Sequence, residues 1–261
     1  MRPSQGLYSA LAPTYEQHFE VPRRRAYDTL AWERVRRLLP ERGPIVDAGC
    51  GVGRWVDRLV AAGHTVIGIE QSPGMLAELR RADRPGFTLV AGSMETAEIK
   101  PASAGMVMAL GSLQYTGDPE ATIRRFAQWV RPGGRVVVLV DSLVALVLEL
   151  LRDGRPAEAV ERLRTRMGVW RQDGHDADMH LLDAARLRRA FETAGLTGVE
   201  VNGLLVTAAP LGTPRLTESL ERDWDAHLAL ERTLLADPAM ADAGKQLLAT
   251  GVRPVADGDE R

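Results

Sequence analysis

The sequence has little cysteine, no long apolar run and no excess of charge of either sign. Its single cysteine, Cys50, excludes an internal disulfide framework and is typical of a reducing compartment. The longest apolar stretch, Val136 to Leu151, is interrupted by Asp141 and Glu149 and is too short for a membrane span. Because the first eleven residues contain no apolar run, we expect no signal peptide and a cytoplasmic protein.

The balance of charges argues against a dedicated nucleic-acid-binding protein. The chain has 35 acidic and 33 basic side chains, for a net charge of −2, whereas such proteins usually carry a strongly basic domain. Only Lys100 and Lys245 are lysines, so almost all the cationic side chains are arginines. With 261 residues, of which 45% are hydrophobic, the composition is that of a globular protein with one large or one elaborated domain.

Two alternating periodicities predict an α/β fold. Short apolar runs rich in β-branched residues predict strands at Pro44–Ala48, Thr65–Glu70, Phe87–Ala91, Gly105–Leu110 and Gly134–Asp141. Longer amphipathic segments between them predict helices at Gly53–Ala62, Pro73–Ala82 and Pro119–Val130. Alternation at this interval is typical of βαβ units and of a parallel sheet covered on both faces.

The segments that flank this pattern predict a helical cap and a second part of the sheet. We expect helices in Leu7–Leu39, Leu143–Leu151, Pro156–Met167 and Ala184–Ala194, the last capped by Asp183, and a polar loop at Arg171–His180. Further along, the pattern predicts a strand, a long helix and a last strand at Val199–Ala209, Thr217–Leu235 and Lys245–Val252. The chain therefore divides into an N-terminal cap (1–40), a core (41–141), a helical lid insertion (142–182), a C-terminal part of the sheet (183–253) and a flexible tail (254–261).

The turn after the first predicted strand carries the chemical signal. Residues 45–55 read Ile-Val-Asp-Ala-Gly-Cys-Gly-Val-Gly-Arg-Trp, so Gly49, Gly51 and Gly53 lead from the strand into a helix. Glycines allow a ligand to approach the backbone closely, and the helix start offers free N–H groups. A dinucleotide-binding fingerprint would require glycine where Arg54 stands. Asp47 would repel a pyrophosphate but pair with a ligand ammonium group, which favours an amino-acid-like ligand over NAD.

Polar residues follow the next strands at the same edge. Glu70 ends the second strand, seventeen residues after Gly53, and is suited to accept hydrogen bonds from both hydroxyls of a ribose. Ser93 and Met94 follow the third strand and are suited to meet the edge and the face of an adenine. The fourth strand ends at Leu110. Ligands of open α/β sheets bind at this carboxyl edge.

These motifs resemble those of class I S-adenosylmethionine (SAM)-dependent methyltransferases of the type 11/12 kind. The matching stretches are Val46–Gly53, Gly68–Leu76 and Val130–Arg135. The resemblance implies a Rossmann-like seven-stranded, mostly parallel sheet with a reversed C-terminal hairpin, a helical cap and an insertion after the fifth strand. It also implies SAM as the cofactor and S-adenosylhomocysteine (SAH) as the product.

The resemblance further implies roles for single residues. Asp47 and Gly49, with Cys50 and Gly51 in the same turn, would hold the methionine portion of the cofactor, and Glu70 with its neighbour Gln71 would hold the ribose. Ser93 and Met94 would meet the adenine, and Leu110 would close over the ligand. Many relatives carry an aspartate at the position of Ser93.

A more distant resemblance links the chain to two carboxyl-methylating branches, one acting on a wobble uridine of tRNA and one on malonyl bound to a carrier protein. The N-terminal helix with Arg23–Arg25 and Trp32 supports it and implies that Arg24 or Arg25 reaches the cofactor carboxylate. A tRNA substrate would need a basic surface, which arginines 152, 155, 162, 164, 166 and 171 could form. Because these alternate with Glu158 and Glu161, a solvated helix face is the better interpretation.

Methyl transfer from a sulfonium needs an aligned nucleophile more than a sharp catalytic motif, and a base only when the acceptor atom carries a proton. His180 and His175 are the candidate bases, since histidine titrates near neutral pH. The candidate residues of an acceptor pocket are Tyr8, Tyr15, His18, Tyr115 and Trp170. We expect no metal, because Gly111, Ser112 and Gln114 stand where a metal-dependent enzyme would carry acidic residues.

The sequence thus predicts an enzyme that methylates an O or N atom of a small organic acceptor, in bacterial specialised metabolism. One alternative is a carboxyl methyltransferase acting on tRNA or on a carrier-protein-bound acid. Another is a non-catalytic nucleoside-binding module. We expect a small-molecule acceptor as the partner, no nucleic acid, no membrane, and a monomer or homodimer.

Overall fold

The computed structural model describes residues 1–255 and is built on one seven-stranded sheet. The strands of the described residues are β1 (Ile45–Ala48), β2 (Val66–Glu70), β3 (Phe87–Ala91), β4 (Ala104–Leu110), β5 (Val130–Asp141), β6 (Met167–Gln172), β7 (His175–His180), β8 (Thr197–Leu204) and β9 (Gln246–Val252). All of them belong to this sheet except β6 and β7, which form a separate two-stranded ribbon. The order is β3-β2-β1-β4-β5-β9-β8, and β9 runs antiparallel to both of its neighbours. The α/β fold with a reversed C-terminal hairpin is confirmed.

Ten helices in the described residues cover the two faces of the sheet and its carboxyl edge. They are α1 (Gln5–Leu11), α2 (Pro22–Arg36), α3 (Arg54–Ala61), α4 (Pro73–Leu79), α5 (Pro119–Trp129), α6 (Leu143–Arg152), α7 (Pro156–Thr165), α8 (Ala184–Thr193), α9 (Ala208–Arg222) and α10 (Trp224–Ala236). The side chain of Asp183 accepts a hydrogen bond from the N–H of Arg186 and caps α8, as the sequence predicts.

Alternation along the strands divides the core into two layers. Val46 belongs to the layer that contains Phe126 of α5 and Phe191 of α8, whereas its neighbour Ile45 belongs to the layer that contains Leu30 of α2. Because successive strand residues point to opposite faces, Asp47 lies on the side of Ile45, under the helices that precede and follow β1. The sheet is therefore buried on both faces, and ligands can reach it only at its edges.

The predicted polar loop at 171–180 is wrong, because β6 and β7 form an antiparallel ribbon there. In its register Trp170 pairs with Ala177 and Met167 with His180. One face of the ribbon packs inward through Trp170 and Ala177, against α1. In His-Asp-Ala-Asp-Met-His the polar residues alternate with the small Ala177 and the flexible Met179. The segment therefore shows no clear alternation of strongly apolar and polar residues, which is the pattern that predicts a strand.

Two further boundaries differ from those predicted. The strand predicted to reach Ala209 ends at Leu204, and the predicted long helix 217–235 is two helices that meet at Asp223. Asp223 has an extended φ of −153° and caps α10 through its side chain, which ends one helix and starts the other. The helical stretch predicted for Leu7–Leu39 is likewise divided, by short turns at Ala12–Thr14 and Glu16–Phe19.

Most of the predicted flexible tail lies outside the described residues, which end at Val255. Among residues 1–255, no helix is both long and apolar enough to cross a membrane.

Replacing Phe126 with alanine should strongly destabilise the fold. The ring is fully buried and packs on Trp129 at a centroid distance of 5.3 Å. We expect Phe126→Ala to lower the free energy of unfolding by about 3–5 kcal/mol, since a cavity would remain. Urea denaturation followed by circular dichroism measures this, and Val160→Ala, at a side chain that is 64% exposed, is the control. A loss similar to that of the control would contradict the packing described above.

Candidate active site

The turn from β1 into α3 has a backbone that only glycine adopts easily. Gly49 has a φ of +89° and Gly53 a φ of +96°. A Cβ atom on Gly49 would lie 2.4 Å from the Cβ of Ser112 and 3.2 Å from the Cε of Met94. A side chain at Gly49 would therefore displace residues from the turns after β4 and β3, so the glycine allows three strand ends to meet.

Asp47 is buried beneath this turn with an unsatisfied carboxylate oxygen. The residue is 1% exposed, and its Oδ2 has no hydrogen-bond partner within residues 1–255. Burial, and then the nearby charge of Glu70, raises the pKa of Asp47 from 3.8 to about 7. A cationic group brought to this oxygen would supply the missing partner and favour the ionised form.

The carboxylate of Glu70 joins two turns. Its Oε2 accepts a hydrogen bond from the N–H of Gly51 at 2.9 Å, and its Oε1 accepts from the N–H groups of Gln71 at 2.9 Å and Ser72 at 2.7 Å. Burial raises the pKa of Glu70, and the three backbone donors oppose that rise. The turns after β1 and β2 are thus held together at the carboxyl edge of the sheet.

A cavity of about 80 Å³, here called the cofactor cavity, lies between these turns. Most residues predicted to bind the cofactor line it: Gly49, Gly51, Glu70, Gln71, Ser93, Met94 and Leu110. Asp47 and Cys50 are buried nearby and do not line it. The thiol of Cys50 packs toward Gly68, and burial raises its pKa.

The N-terminal segment closes over the cofactor cavity. The hydroxyl of Ser9 on α1 lies 2.9 Å from that of Ser72 and accepts a hydrogen bond from the N–H of Gly74 at 3.2 Å. A Cβ atom on Gly74 would lie 2.5 Å from the backbone oxygen of Ser9, so only glycine allows this approach. Sequence reasoning missed this contact, although Gly74 in the first turn of a helix was a signal for it.

A larger cavity of about 490 Å³, here called the acceptor cavity, lies between the sheet edge and the cap. Its walls come from α1, α2, α6, α9, the β6–β7 ribbon and the ends of β4 and β5. Five residues line both cavities: Tyr8, Tyr15, Leu110, Gly111 and Tyr115. The two cavities therefore adjoin at this boundary.

Aromatic side chains form the boundary. The ring of Tyr8 packs edge-on against those of Tyr115 at 5.5 Å and Trp170 at 5.4 Å. Burial raises the pKa of the Tyr8 and Tyr115 phenols. Both therefore stay protonated at neutral pH and act as hydrogen-bond donors rather than bases.

Asp141 is a carboxylate in the acceptor cavity that sequence reasoning did not consider for the site. It ends β5, and its Oδ2 accepts a hydrogen bond from the Nε2 of Gln114 at 2.8 Å and its Oδ1 from the Nε2 of Gln246 at 3.2 Å. A hydrogen bond from its own N–H to the Oε1 of Gln114, 3.0 Å long, completes the arrangement. The signal available in the sequence was an acid at the end of a strand.

The chain matches the model of the methyltransferase domain family over residues 21–201. It belongs to this family. It is a SAM-dependent methyltransferase, in agreement with the motifs in the turns after β1 and β2.

Curated relatives of the methyltransferase act on several kinds of acceptor. The chain is 29% identical over 188 residues to the dTDP-3-amino-3,4,6-trideoxy-α-D-glucopyranose N,N-dimethyltransferase of Streptomyces venezuelae, covering 62% of this chain and 78% of that protein. It is 30% identical over 149 residues to the malonyl-[acyl-carrier protein] O-methyltransferase of Enterobacter lignolyticus, covering 56% of this chain and 55% of that protein. The match thus spans about half the length of the second relative.

A solved structure shares the fold of the methyltransferase. A SAM-dependent methyltransferase of Thermotoga maritima superposes with a TM-score of 0.61 at 17% identity, over 95% of this chain and 99% of that chain.

The residues of the methyltransferase fit SAM. Glu70 offers carboxylate oxygens to a ribose, and the glycine turn admits a ligand close to the backbone. The unsatisfied Oδ2 of Asp47 suits an ammonium group, although Asp47 lies beneath the turn and does not line the cavity. We therefore expect Asp47 and Gly49 to hold the amino-acid portion and Glu70 the ribose.

Of the other predicted residues, Tyr15, His18, Tyr115 and Trp170 line the acceptor cavity. Arg25 lines neither cavity and stacks on the ring of Trp224 at 5.2 Å, whereas its neighbour Arg24 does line the acceptor cavity.

The methyltransferase does not bring the two predicted catalytic histidines to either cavity. Met179 lines the acceptor cavity, and His180 lies on the opposite face of the ribbon, since adjacent strand residues point to opposite faces. Its Nε2 is buried and has no hydrogen-bond partner within residues 1–255. His175, at the start of β7, is exposed.

Asp47 should make the stability of the ligand-free methyltransferase depend on pH. Its pKa in the folded state, about 7, exceeds the ordinary 3.8, so between these values the folded state binds more protons than the unfolded state. The free energy of unfolding should therefore fall as the pH rises from about 4 to about 7 and change no further above that. In Asp47→Asn this contribution is absent.

Urea denaturation between pH 5 and pH 8 measures this difference. We expect the wild type to lose stability relative to Asp47→Asn as the pH rises, whereas Asp83→Asn, which removes an exposed carboxylate, should follow the wild type. Parallel profiles for the wild type and Asp47→Asn would contradict the raised pKa.

Proposed function

We propose that this methyltransferase transfers the methyl group of SAM to a nitrogen or oxygen atom of a small organic acceptor bound in the acceptor cavity. The observation that carries the proposal is the shared boundary of the two cavities at Tyr8, Leu110 and Tyr115. An electrophile on one side of this boundary and a nucleophile on the other can meet in line, and alignment of the two reactants is the main source of rate in such a displacement.

The reaction requires little from the protein beyond alignment and exclusion of water. Bound SAM supplies a methyl group on a positively charged sulfur, which leaves as a neutral thioether. Burial raises the pKa of the Tyr8 and Tyr115 phenols, so their hydroxyls stay protonated and can donate hydrogen bonds to the acceptor.

Asp141 is our candidate for the group that takes the proton from the acceptor atom. A hydroxyl or an ammonium must lose a proton in the course of methylation, and a carboxylate in the same cavity can accept it. The two amide donors from Gln114 and Gln246 hold the Asp141 carboxylate in one orientation. This role replaces the one that sequence reasoning proposed for His180 and His175.

The size of the acceptor cavity supports a small organic substrate. At about 490 Å³, it falls in the range of ordinary small-molecule sites, and it argues against a nucleoside-binding module without a second substrate. The N,N-dimethyltransferase of Streptomyces venezuelae acts on an aminodeoxy sugar, which supports nitrogen as one acceptor and a role in specialised metabolism.

A tRNA substrate is less well supported. The arginines of α7 are paired within the helix: Arg162 with Glu158 at 2.8 Å and Arg164 with Glu161 at 3.1 Å. Such pairs leave little free positive charge for a phosphate backbone. A carboxyl acceptor is the second candidate, because the malonyl O-methyltransferase is among the relatives.

The methyltransferase should bind SAM and SAH and not NAD. Calorimetric titration with the three ligands in parallel tests this expectation. Asp47→Asn should weaken SAM binding by about 1–3 kcal/mol, because a buried ammonium would lose its charged partner, and Asp83→Asn should not. Binding of NAD alone, or SAM binding that is equal in wild type and Asp47→Asn, would contradict the proposed cofactor contacts.

Asp141→Asn should lower kcat for an amine or alcohol acceptor by roughly 10²-fold or more, the usual contribution of a positioned base. Release of labelled methyl groups to panels of small amines, alcohols and carboxylic acids measures the effect. SAM affinity should be unchanged, and Asp173→Asn, in the exposed turn of the ribbon, should keep full activity. A carboxylic acid that is the best acceptor, with Asp141→Asn fully active, would favour the second candidate.

A further inference from the structure

The acceptor cavity contains two arginines that form no ion pair with any residue in the described part of the chain. Arg23 and Arg24, in the first turn of α2, both line it. None of the ion pairs formed within residues 1–255 involves either guanidinium. Arg23 is exposed, whereas Arg24 is partly buried, and a partly buried charge is costly when it is alone.

The position of these arginines in the helix makes their lack of a partner more unfavourable. The first turn of α2 carries no acidic residue and no side-chain cap. The N-terminus of a helix has a partial positive charge, so cations are disfavoured there. Partial desolvation, and then the adjacent charge of Arg24, lowers the pKa of Arg23, while the charge of Glu149 opposes this shift. A bound anion would relieve each of these unfavourable contributions.

The other charged groups of the cavity already have partners. Lys245 pairs with Glu149 at 2.7 Å, and Arg152 pairs with Asp153 at 2.8 Å. Asp141 is held by two amide side chains. Two free cations therefore remain in the cavity against one carboxylate, and both cations come from the same helix turn.

We propose that Arg23 and Arg24 form a subsite for an oxyanionic group of the methyl acceptor, a carboxylate or a phosphate. The proposal rests on the proposed function and narrows the acceptor to small organic anions. Guanidinium groups suit this ligand, because their planar N–H donors match two oxygens at once. The boundary with the cofactor cavity, at Tyr8 and Tyr115, would then receive the atom to be methylated.

Arg25 provides a contrast on the same helix. Its guanidinium stacks on Trp224 outside the cavity, so adjacent arginines in this turn have different surroundings. A matched control for charge is Arg36, which lies at the exposed C-terminal end of α2.

The test is a calorimetric titration of the SAH-saturated protein with inorganic phosphate, pyrophosphate and tricarballylate at constant ionic strength. We expect the wild type to bind at least one of these anions. Arg23→Gln and Arg24→Gln should each weaken that binding about tenfold or more, as the loss of a charge-assisted hydrogen bond does, and Arg36→Gln should not. Preference for the phosphates or for the tricarboxylate identifies the anionic group.

Any of three results would overturn the proposal. The first is that the wild type binds none of the three anions, and the second is that both cavity variants bind them as the wild type does. In the third result, Arg24→Gln weakens the binding of SAH and leaves anion binding intact, which would assign Arg24 to the cofactor carboxylate. SAH affinity is measured in every variant. If the wild type does not bind SAH, the proposed function is contradicted. Normal SAH binding without anion binding contradicts only the proposed anion subsite.

Discussion

The geometry of the cofactor site depends on the hydrogen bonds of one buried carboxylate. Glu70 is 8% exposed and accepts from the backbone of the turn after β1 and from that of the turn after β2. Three backbone donors offset the cost of burying its charge. The same charge acts on Asp47, whose pKa is raised mainly by burial and further by the nearby carboxylate of Glu70.

The cap is built against this fixed edge. The Ser9 hydroxyl meets Ser72, the residue after Glu70 and Gln71, so the same turn that lines the cofactor cavity also anchors α1. At the other end of the segment, Arg2 forms ion pairs with Asp176 and Asp178 of the ribbon, at 2.6 and 2.7 Å. The N-terminal segment therefore joins the cofactor edge to the lid over the acceptor cavity, and its Tyr8 lies at the boundary between the two cavities.

Local sequence patterns predicted the strands and turns of the core well, because these elements depend on residues that lie close together in the sequence. Strands such as Ala104–Leu110 are continuous apolar runs, and the glycines of Gly49–Gly53 predict a turn with positive φ. The ribbon at 167–180 was missed because a polar two-stranded element is stabilised by its packing on α1 rather than by its own apolar period. The ribbon also fixes the direction of His180: as part of a loop its side chain could point anywhere, whereas pairing with Met167 assigns it to the face opposite Met179.

The sequence by itself determined the fold class and the family, and it predicted most of the residues that line the cofactor cavity, since these lie within a few positions of each strand end. Only the tertiary structure decided the acceptor site. Asp141, Gln114 and Gln246 come from three distant parts of the chain and meet because β5 lies between β4 and β9. Likewise, three consecutive arginines look equivalent in the sequence, but the rotation of about 100° per residue along α2 gives each different surroundings. Contacts between distant segments and the direction of a side chain are properties of the packed molecule, and no local pattern encodes them.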